Sequence, residues 1–185
     1  MKKIKLLIVA LIVMAHSASY AIGIDTSVEF ALSQANFKVS GLDIQKSMGY
    51  GVGVSAKLDV PIISVGPELW YYRNTASLEG DKLVSNSIDL PVVVSYTILG
   101  PLSVEAGPSF SLLSSGKYKT DTQNYKLGRI RPDLGYVLGA RITLLDRLMV
   151  NVRFNGCFSK ESVDYNDYIY QVRYNAWSVG MGIKF

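Results

Sequence analysis

Eight segments of this chain alternate residue by residue with the same asymmetry each time: large aliphatic and aromatic side chains on one face, glycine, serine and isolated charges on the other. A period of two is the signature of a β-strand. The segments open at Thr26, Tyr50, Ile63, Ile88, Leu102, Leu134, Leu148 and Ala176, and each is about the nine to eleven residues that a tilted strand needs to cross a bilayer. In the second, Tyr50, Val52, Val54, Ala56 and Leu58 oppose Gly51, Gly53, Ser55, Lys57 and Asp59; in the last, Trp177, Val179, Met181, Ile183 and Phe185 oppose Ser178, Gly180, Gly182 and Lys184.

The connections alternate as well. Residues 61–62, 97–101 and 145–147 read as tight turns, whereas 34–48, 74–87, 114–131 and 159–171 read as long polar loops. Short turns at one end and long loops at the other suit an antiparallel barrel with a periplasmic and an extracellular rim. Hydrocarbon offers no partner to an unpaired amide, so a sheet in lipid must close on itself, and the eighth strand must pair with the first. The expected fold is all-β: an eight-stranded antiparallel up-and-down transmembrane β-barrel.

The face compositions separate lipid from water as the outer solvent. A soluble lipocalin-like barrel turns its apolar face inward and its polar face out. Here the polar face carries Gly51, Gly53, Gly66, Gly107, Gly135, Gly139, Gly180 and Gly182; solvent does not require glycine, whereas the crowded bore of eight strands does. The charges on this face nearly balance, and Glu29, Lys57, Glu68, Glu105, Arg141 and Arg153 form a candidate ion network in the lumen. Arg141 and Arg153, on neighbouring strands, are expected to bridge to Glu29, Glu68 or Glu105 and plug the bore. Tyr50, Tyr71, Tyr96, Trp177 and Phe185 fall near strand ends, where amphipathic rings suit the headgroup boundary.

The start of the chain indicates the compartment. Lys2, Lys3 and Lys5 precede an apolar run over 6–15, and Ser19-Tyr20-Ala21 offers small residues for cleavage, so residues 1–21 read as a secretory signal and 22–185 as the barrel domain. The apolar run falls well short of the roughly 20 residues a spanning helix needs. Losing three lysines and no acid takes the formal charge from +4 to +1, so the basic balance does not argue for a nucleic-acid partner. His16, the one histidine, leaves with the signal; histidine acid–base chemistry and a Ser-His pair are excluded in the mature chain. Cys157 alone permits no internal disulfide, and no Cys/His cluster exists to hold zinc. No catalytic residue, metal ligand or cofactor site is expected. Cys157 is expected to point into the barrel as packing.

The stretches Gly66-Pro67-Glu68-Leu69-Trp70-Tyr71, Ile88-Asp89-Leu90-Pro91-Val92-Val93-Val94-Ser95-Tyr96 and Gly100-Pro101-Leu102-Ser103-Val104-Glu105-Ala106-Gly107-Pro108 resemble the PorT-like outer-membrane β-barrel family common in Bacteroidetes. The closing Ser178-x-Gly180-x-x-Ile183-x-Phe185 resembles the β-signal read by the outer-membrane insertion machinery. The resemblance spans about Tyr50 to Phe185 and implies an integral protein of the cell outer membrane with both ends in the periplasm; outer-membrane lipid and lipopolysaccharide are the expected partners. It carries no activity over and selects no specific protein partner.

Three function classes compete. The first is a barrel acting through its extracellular loops in envelope structure, adhesion or surface interaction. Loop three carries Lys117, Lys119, Lys126, Arg129 and Arg131, and loop four carries Glu161, Asp164 and Asp167; opposite charges there hold each other weakly if exposed, or loop three contacts lipopolysaccharide phosphates. The second is a narrow porin-like diffusion channel, which the number of ions in so thin a bore disfavours. The third is an enzyme, for which the mature chain lacks a histidine base and shows no paired carboxylate site in its sequence.

Overall fold

The computed structural model describes residues 23–39, 42–43, 47–59, 62–78, 81–119, 124–127, 132–159, 161–165 and 168–185. Among them there is no helix, and eleven strands run in chain order: β1 (Ile24–Val39), β2 (Leu42–Asp43), β3 (Ser47–Asp59), β4 (Ile63–Leu78), β5 (Asp81–Leu99), β6 (Leu102–Lys119), β7 (Asn124–Leu127), β8 (Leu134–Leu144), β9 (Leu148–Cys157), β10 (Glu161–Tyr165) and β11 (Tyr168–Lys184). Eight of them, β1, β3, β4, β5, β6, β8, β9 and β11, pair antiparallel with their neighbours, and β11 pairs with β1 to close the barrel. The closing seam is long: it runs from Ser27 opposite Lys184 to Val39 opposite Val172. No edge is left within the wall, as backbone satisfaction in hydrocarbon demands.

Register fixes the tilt. Starting at Ile24 and stepping across hydrogen-bonded partners through Leu58, Val65, Val94, Ala106, Leu138, Phe154 and Trp177, the path returns to β1 at Gln34, ten residues beyond its start. That offset is the shear of the barrel, and with eight strands it sets a narrow bore that side chains fill. Every residue on the path belongs to the outward row; of its large apolar members, Leu58, Val65, Val94, Leu138 and Trp177 are exposed and Ile24 and Phe154 are half-buried. Ile63, Val104, Val152, Val179 and Met181 extend the same exposed belt. Such continuous apolar surface is far larger than a water-soluble monomer tolerates; facing acyl chains, it is at home. The inner face is polar, so the lipocalin-like alternative is set aside.

Local chemistry explains the turns. Arg147 N–H donates to Leu144 O at 3.1 Å, with both central residues in the left-handed region, Leu145 at φ 53° and Asp146 at φ 58°. That is a type I′ hairpin, whose twist matches the flanking strands. Between β5 and β6, Gly100 takes φ 53° immediately before Pro101.

Two expectations need correction. The strands are longer than the belt: β5 has 19 residues and β6 has 18, so much of what reads as loop over 34–48, 74–87, 114–131 and 159–171 is paired sheet rising beyond the membrane. Outside hydrocarbon the outer face no longer has to be apolar, and the period-two signal fades while backbone pairing continues. The second correction is a bulge at Leu112, where Ile88 faces Leu113 but Asp89 faces Ser111. One extra residue on β6 shifts the alternation, so both Leu112 and Leu113 are exposed and Ser115 and Lys117 inherit the outward row.

Candidate functional site

The alternation that aims aliphatic residues at lipid aims their neighbours at the bore, and six of these meet at its centre. Glu29 comes from β1, Lys57 from β3, Glu68 from β4, Glu105 from β6, Arg141 from β8 and Arg153 from β9, all buried. Arg153 grips Glu68 with both terminal nitrogens, Nη2 to Oε1 at 3.0 Å and Nη1 to Oε2. The same guanidinium reaches Glu105 Oε2 from Nε at 3.0 Å and from Nη2 at 2.9 Å. Arg141 bridges Glu29 through Nη2 at 3.0 Å and Glu105 through Nε at 2.8 Å. Lys57 Nζ lies 2.9 Å from Glu68 and 3.3 Å from Glu105. Three carboxylates thus meet three cations, and the cluster is neutral as a whole. Desolvated charges persist only when paired and hydrogen-bonded in this way.

Neutral donors complete the shell. Asn151 Nδ2 donates to Glu29 at 2.6 Å, Trp70 Nε1 to Glu68 at 2.7 Å and Ser95 Oγ to Glu105 at 3.2 Å. The Arg153 guanidinium also lies over the Trp70 ring, 5.4 Å from its centroid, a cation–π arrangement. Trp70 and Tyr72 stack with centroids 5.3 Å apart, and they find room because β3 presents glycine opposite. A Cβ on Gly53 would stand 2.4 Å from the Trp70 ring, and one on Gly51 2.4 Å from Tyr72.

At the tight-turn end the bore opens into a cavity of about 190 Å³, lined by hydroxyls and by Asp25, Asp59, Lys57, Arg141 and Lys184. Lys184 Nζ pairs there with Asp25 and, at 3.3 Å, with Asp59, joining the ends of β11, β1 and β3. The cavity ends against the central ion cluster.

The sequence places all six lumen residues on the inner face, and the structure brings them into one contact network. Trp70 and Asn151 share the inward row with these ions, and with Asp25 they are functional neighbours that sequence alone does not pick out; partner choice depends on the shear, which a single strand does not reveal. Cys157 is half-buried in the inward row of β9. Lys117 and Lys119 lie on β6 and Lys126 on β7 rather than on a loop, because hairpin pairing extends past the belt; Arg129 and Arg131 lie outside the described residues. Glu161 and Asp164 likewise sit on β10, and Asp167 lies outside the described residues. Gly180 and Ile183 pair within the closing seam, and Phe185 N–H donates to Thr26 O at 2.8 Å. Among the described residues no group of His, Cys, Asp and Glu is arranged to hold a metal ion.

Comparison with known proteins gives a consistent architecture. The model of the family described as outer membrane protein beta-barrel domain matches residues 4–185. Among solved structures, the chain is similar to Neisserial surface protein A, with 16% identity, a TM-score of 0.62 and coverage of 86% of this chain and 97% of that one. It is also similar to Ail, the attachment invasion locus protein of Yersinia pestis, in complex with the heparin analogue sucrose octasulfate, with 12% identity, a TM-score of 0.58 and coverage of 88% and 99%. A major outer membrane protein of Thermus thermophilus aligns at 14% identity with a TM-score of 0.50, covering 88% of this chain and 99% of that one. No curated protein matches the chain significantly.

Proposed function

The chain belongs to the outer membrane protein beta-barrel domain family, and on that premise we propose that it works at the cell surface through its long hairpins, in adhesion, surface interaction or envelope structure, without catalysis. The observation that carries this reading is the neutral six-residue cluster across the bore. With Glu68 and Glu105 each held by two or more cations, the cavity at the tight-turn end is blind, which disfavours a porin-like diffusion channel. The interior is thereby reserved for stability, and the surface left for recognition is the rim built by the β4–β5, β6–β7 and β10–β11 hairpins. Ail, similar in fold, was solved with a heparin analogue, which is in keeping with polyanion recognition by a barrel of this kind.

Two experiments test the reading. In planar bilayers the purified barrel should show no conductance steps; steady single-channel openings would favour the porin-like alternative. On whole cells, shortening the β6–β7 and β10–β11 hairpins should abolish binding to surfaces or host material while leaving the barrel folded.

In the same proposal residues 1–21 are removed as a secretory signal, and Gly180, Ile183 and Phe185 present the closing strand to the insertion machinery. Deleting Phe185 should leave unassembled protein in the periplasmic fraction. The finer PorT-like affiliation rests on the Gly-Pro-Glu-Leu and Leu-Pro stretches, which supply Glu68 to the ion cluster and Pro91 to the inner row.

A further inference from the structure

Proline has no N–H to give to a ladder, and inside a sheet it is confined to edges and bulges. A closed wall has no edge, yet Pro67, Pro91 and Pro108 stand within β4, β5 and β6. Pro67 is at the middle of the belt on β4, with Ile63 and Val65 exposed to one side of it and Leu69 and Tyr71 to the other. Each proline coincides with a break in the ladder. Pairing of β3 with β4 lapses between the Ser55/Glu68 and Leu58/Val65 partners, that of β4 with β5 between Pro67/Val92 and Trp70/Asp89, and that of β5 with β6 between Pro91/Ser109 and Val94/Ala106. Register is the same on both sides of every break, so these are not bulges, and the residues facing the prolines across the gaps are Ala56, Glu68 and Val92.

Ladder bonds alternate along an antiparallel pair. Thr97 N–H donates to Ile62 O at 2.9 Å, and stepping by two from that pair reaches Pro91 and Glu68; the same alternation aims Pro67 at Ala56 and Pro108 at Val92. The carbonyls of Ala56, Glu68 and Val92 therefore lose the donor that a ladder supplies. Two of them lean across the glycine that precedes the proline: a Cβ on Gly66 would overlap Ala56 O, and one on Gly107 would overlap Val92 O. The three breaks adjoin, and together they form one oblique patch of residues 56–57, 66–69, 90–93 and 107–108. The seams β6–β8, β8–β9, β9–β11, β11–β1 and β1–β3 run through the belt without interruption.

The ion cluster is anchored on this patch. Lys57 Nζ ties β3 to β4 through Glu68 at 2.9 Å, to β6 through Glu105 at 3.3 Å, and to β5 through Ser95 Oγ at 3.3 Å. Ser95 in turn donates to Glu105 at 3.2 Å, joining β5 to β6. Arg153, from the uninterrupted wall, holds the same two carboxylates. Side chains thus span each seam at which main-chain bonding lapses. We infer that the patch is a panel of the wall that opens locally within the membrane, and that Lys57 is the positioning residue that holds it shut. An unpaired main-chain group in hydrocarbon is costly, and a region with few ladder bonds opens at a lower free energy than the barrel as a whole. The inference goes beyond the surface reading and does not depend on it.

The test is amide hydrogen exchange of the full barrel in lipid nanodiscs, resolved by NMR. The reporters are the amides of Ala56, Glu68 and Val92, which face the prolines, against those of Ala140, Val152 and Val179 on the uninterrupted seams. The patch amides should exchange while the reference amides stay protected. Lys57→Met should speed the patch roughly tenfold or more, the worth of a charge-assisted hydrogen bond, and leave the references unchanged. Pro67→Val and Pro108→Val restore a donor, and should slow Ala56 and Val92 respectively by about fivefold. Lys184→Met, which removes an ion pair at the rim, should leave the patch as it is. Heat-modifiable gel mobility reports whether each variant is folded, and the proline variants, which add a hydrogen bond rather than remove one, decide the matter even if Lys57→Met does not assemble. Equal protection of the patch and the references overturns the inference. So does acceleration of both sets alike in Lys57→Met, or unchanged patch exchange in both proline variants.

Discussion

Replacing Arg153 with methionine deletes the most heavily engaged cation of the bore while keeping much of its apolar stem. Arg153 is 1% exposed and contacts both Glu68 and Glu105. Without it, Glu29, Glu68 and Glu105 face only Lys57 and Arg141, leaving one uncompensated buried carboxylate. Removing one partner of a buried pair costs about 3 to 5 kcal/mol, and the lost contact with the Trp70 face adds about 1 kcal/mol. The double variant Arg153→Met/Glu68→Gln restores neutrality, since Glu29 keeps Arg141 and Glu105 keeps both Arg141 and Lys57. It should therefore be more stable than the Arg153→Met single variant, a coupling that two independent sites would not show. The assay is urea unfolding of the barrel in phospholipid vesicles, read by heat-modifiable mobility and extrapolated linearly. A single variant within about 1 kcal/mol of wild type, the range of exposed ion pairs, refutes the reasoning; so does a double variant that loses the full sum of both single effects.

Further outcomes follow from particular contacts. Gly53→Ala puts a Cβ 2.4 Å from the Trp70 ring, and overpacking there should lower stability by about 1 to 3 kcal/mol in the same unfolding assay. Leu145→Asn should raise it by about 1 kcal/mol, because Leu145 sits at φ 53° with its side chain 86% exposed, so strain is relieved and no packing is lost. Val152→Arg on the lipid face should cost about 2 to 4 kcal/mol if the position lies near the bilayer midplane, measured by refolding yield into vesicles.

The barrel is legible in the sequence because hydrocarbon enforces a strict rule: while a strand crosses it, outward positions must be apolar, and Val52, Leu138, Val152 and Val179 obey. The inward position of Glu68, Glu105, Arg141 and Arg153 follows from the same parity, and scarcity of space in the bore explains glycine at Gly51 and Gly53. Which ions meet is harder, because contact across the bore depends on shear, a property of all eight strands at once. Above the belt the rule lapses, and β7, β10 and the upper third of β6 read as loop although they are paired. The bulge at Leu112 escaped for a related reason: two successive leucines fit either parity, and only the partner strand decides between them.

The direction of the two faces is tested most directly by the two tryptophans of the chain, which stand on opposite sides of the wall: Trp70 is 2% exposed beside the ion cluster, and Trp177 is 54% exposed in the outward belt. Each is isolated by replacing the other with phenylalanine, and its fluorescence is measured in vesicles of brominated lipid and against aqueous acrylamide. Trp177 should be strongly quenched by the brominated chains, and Trp70 should resist both quenchers. Quenching of Trp70 by brominated lipid, with Trp177 shielded from it, contradicts an apolar face turned to the membrane and an ion cluster locked inside.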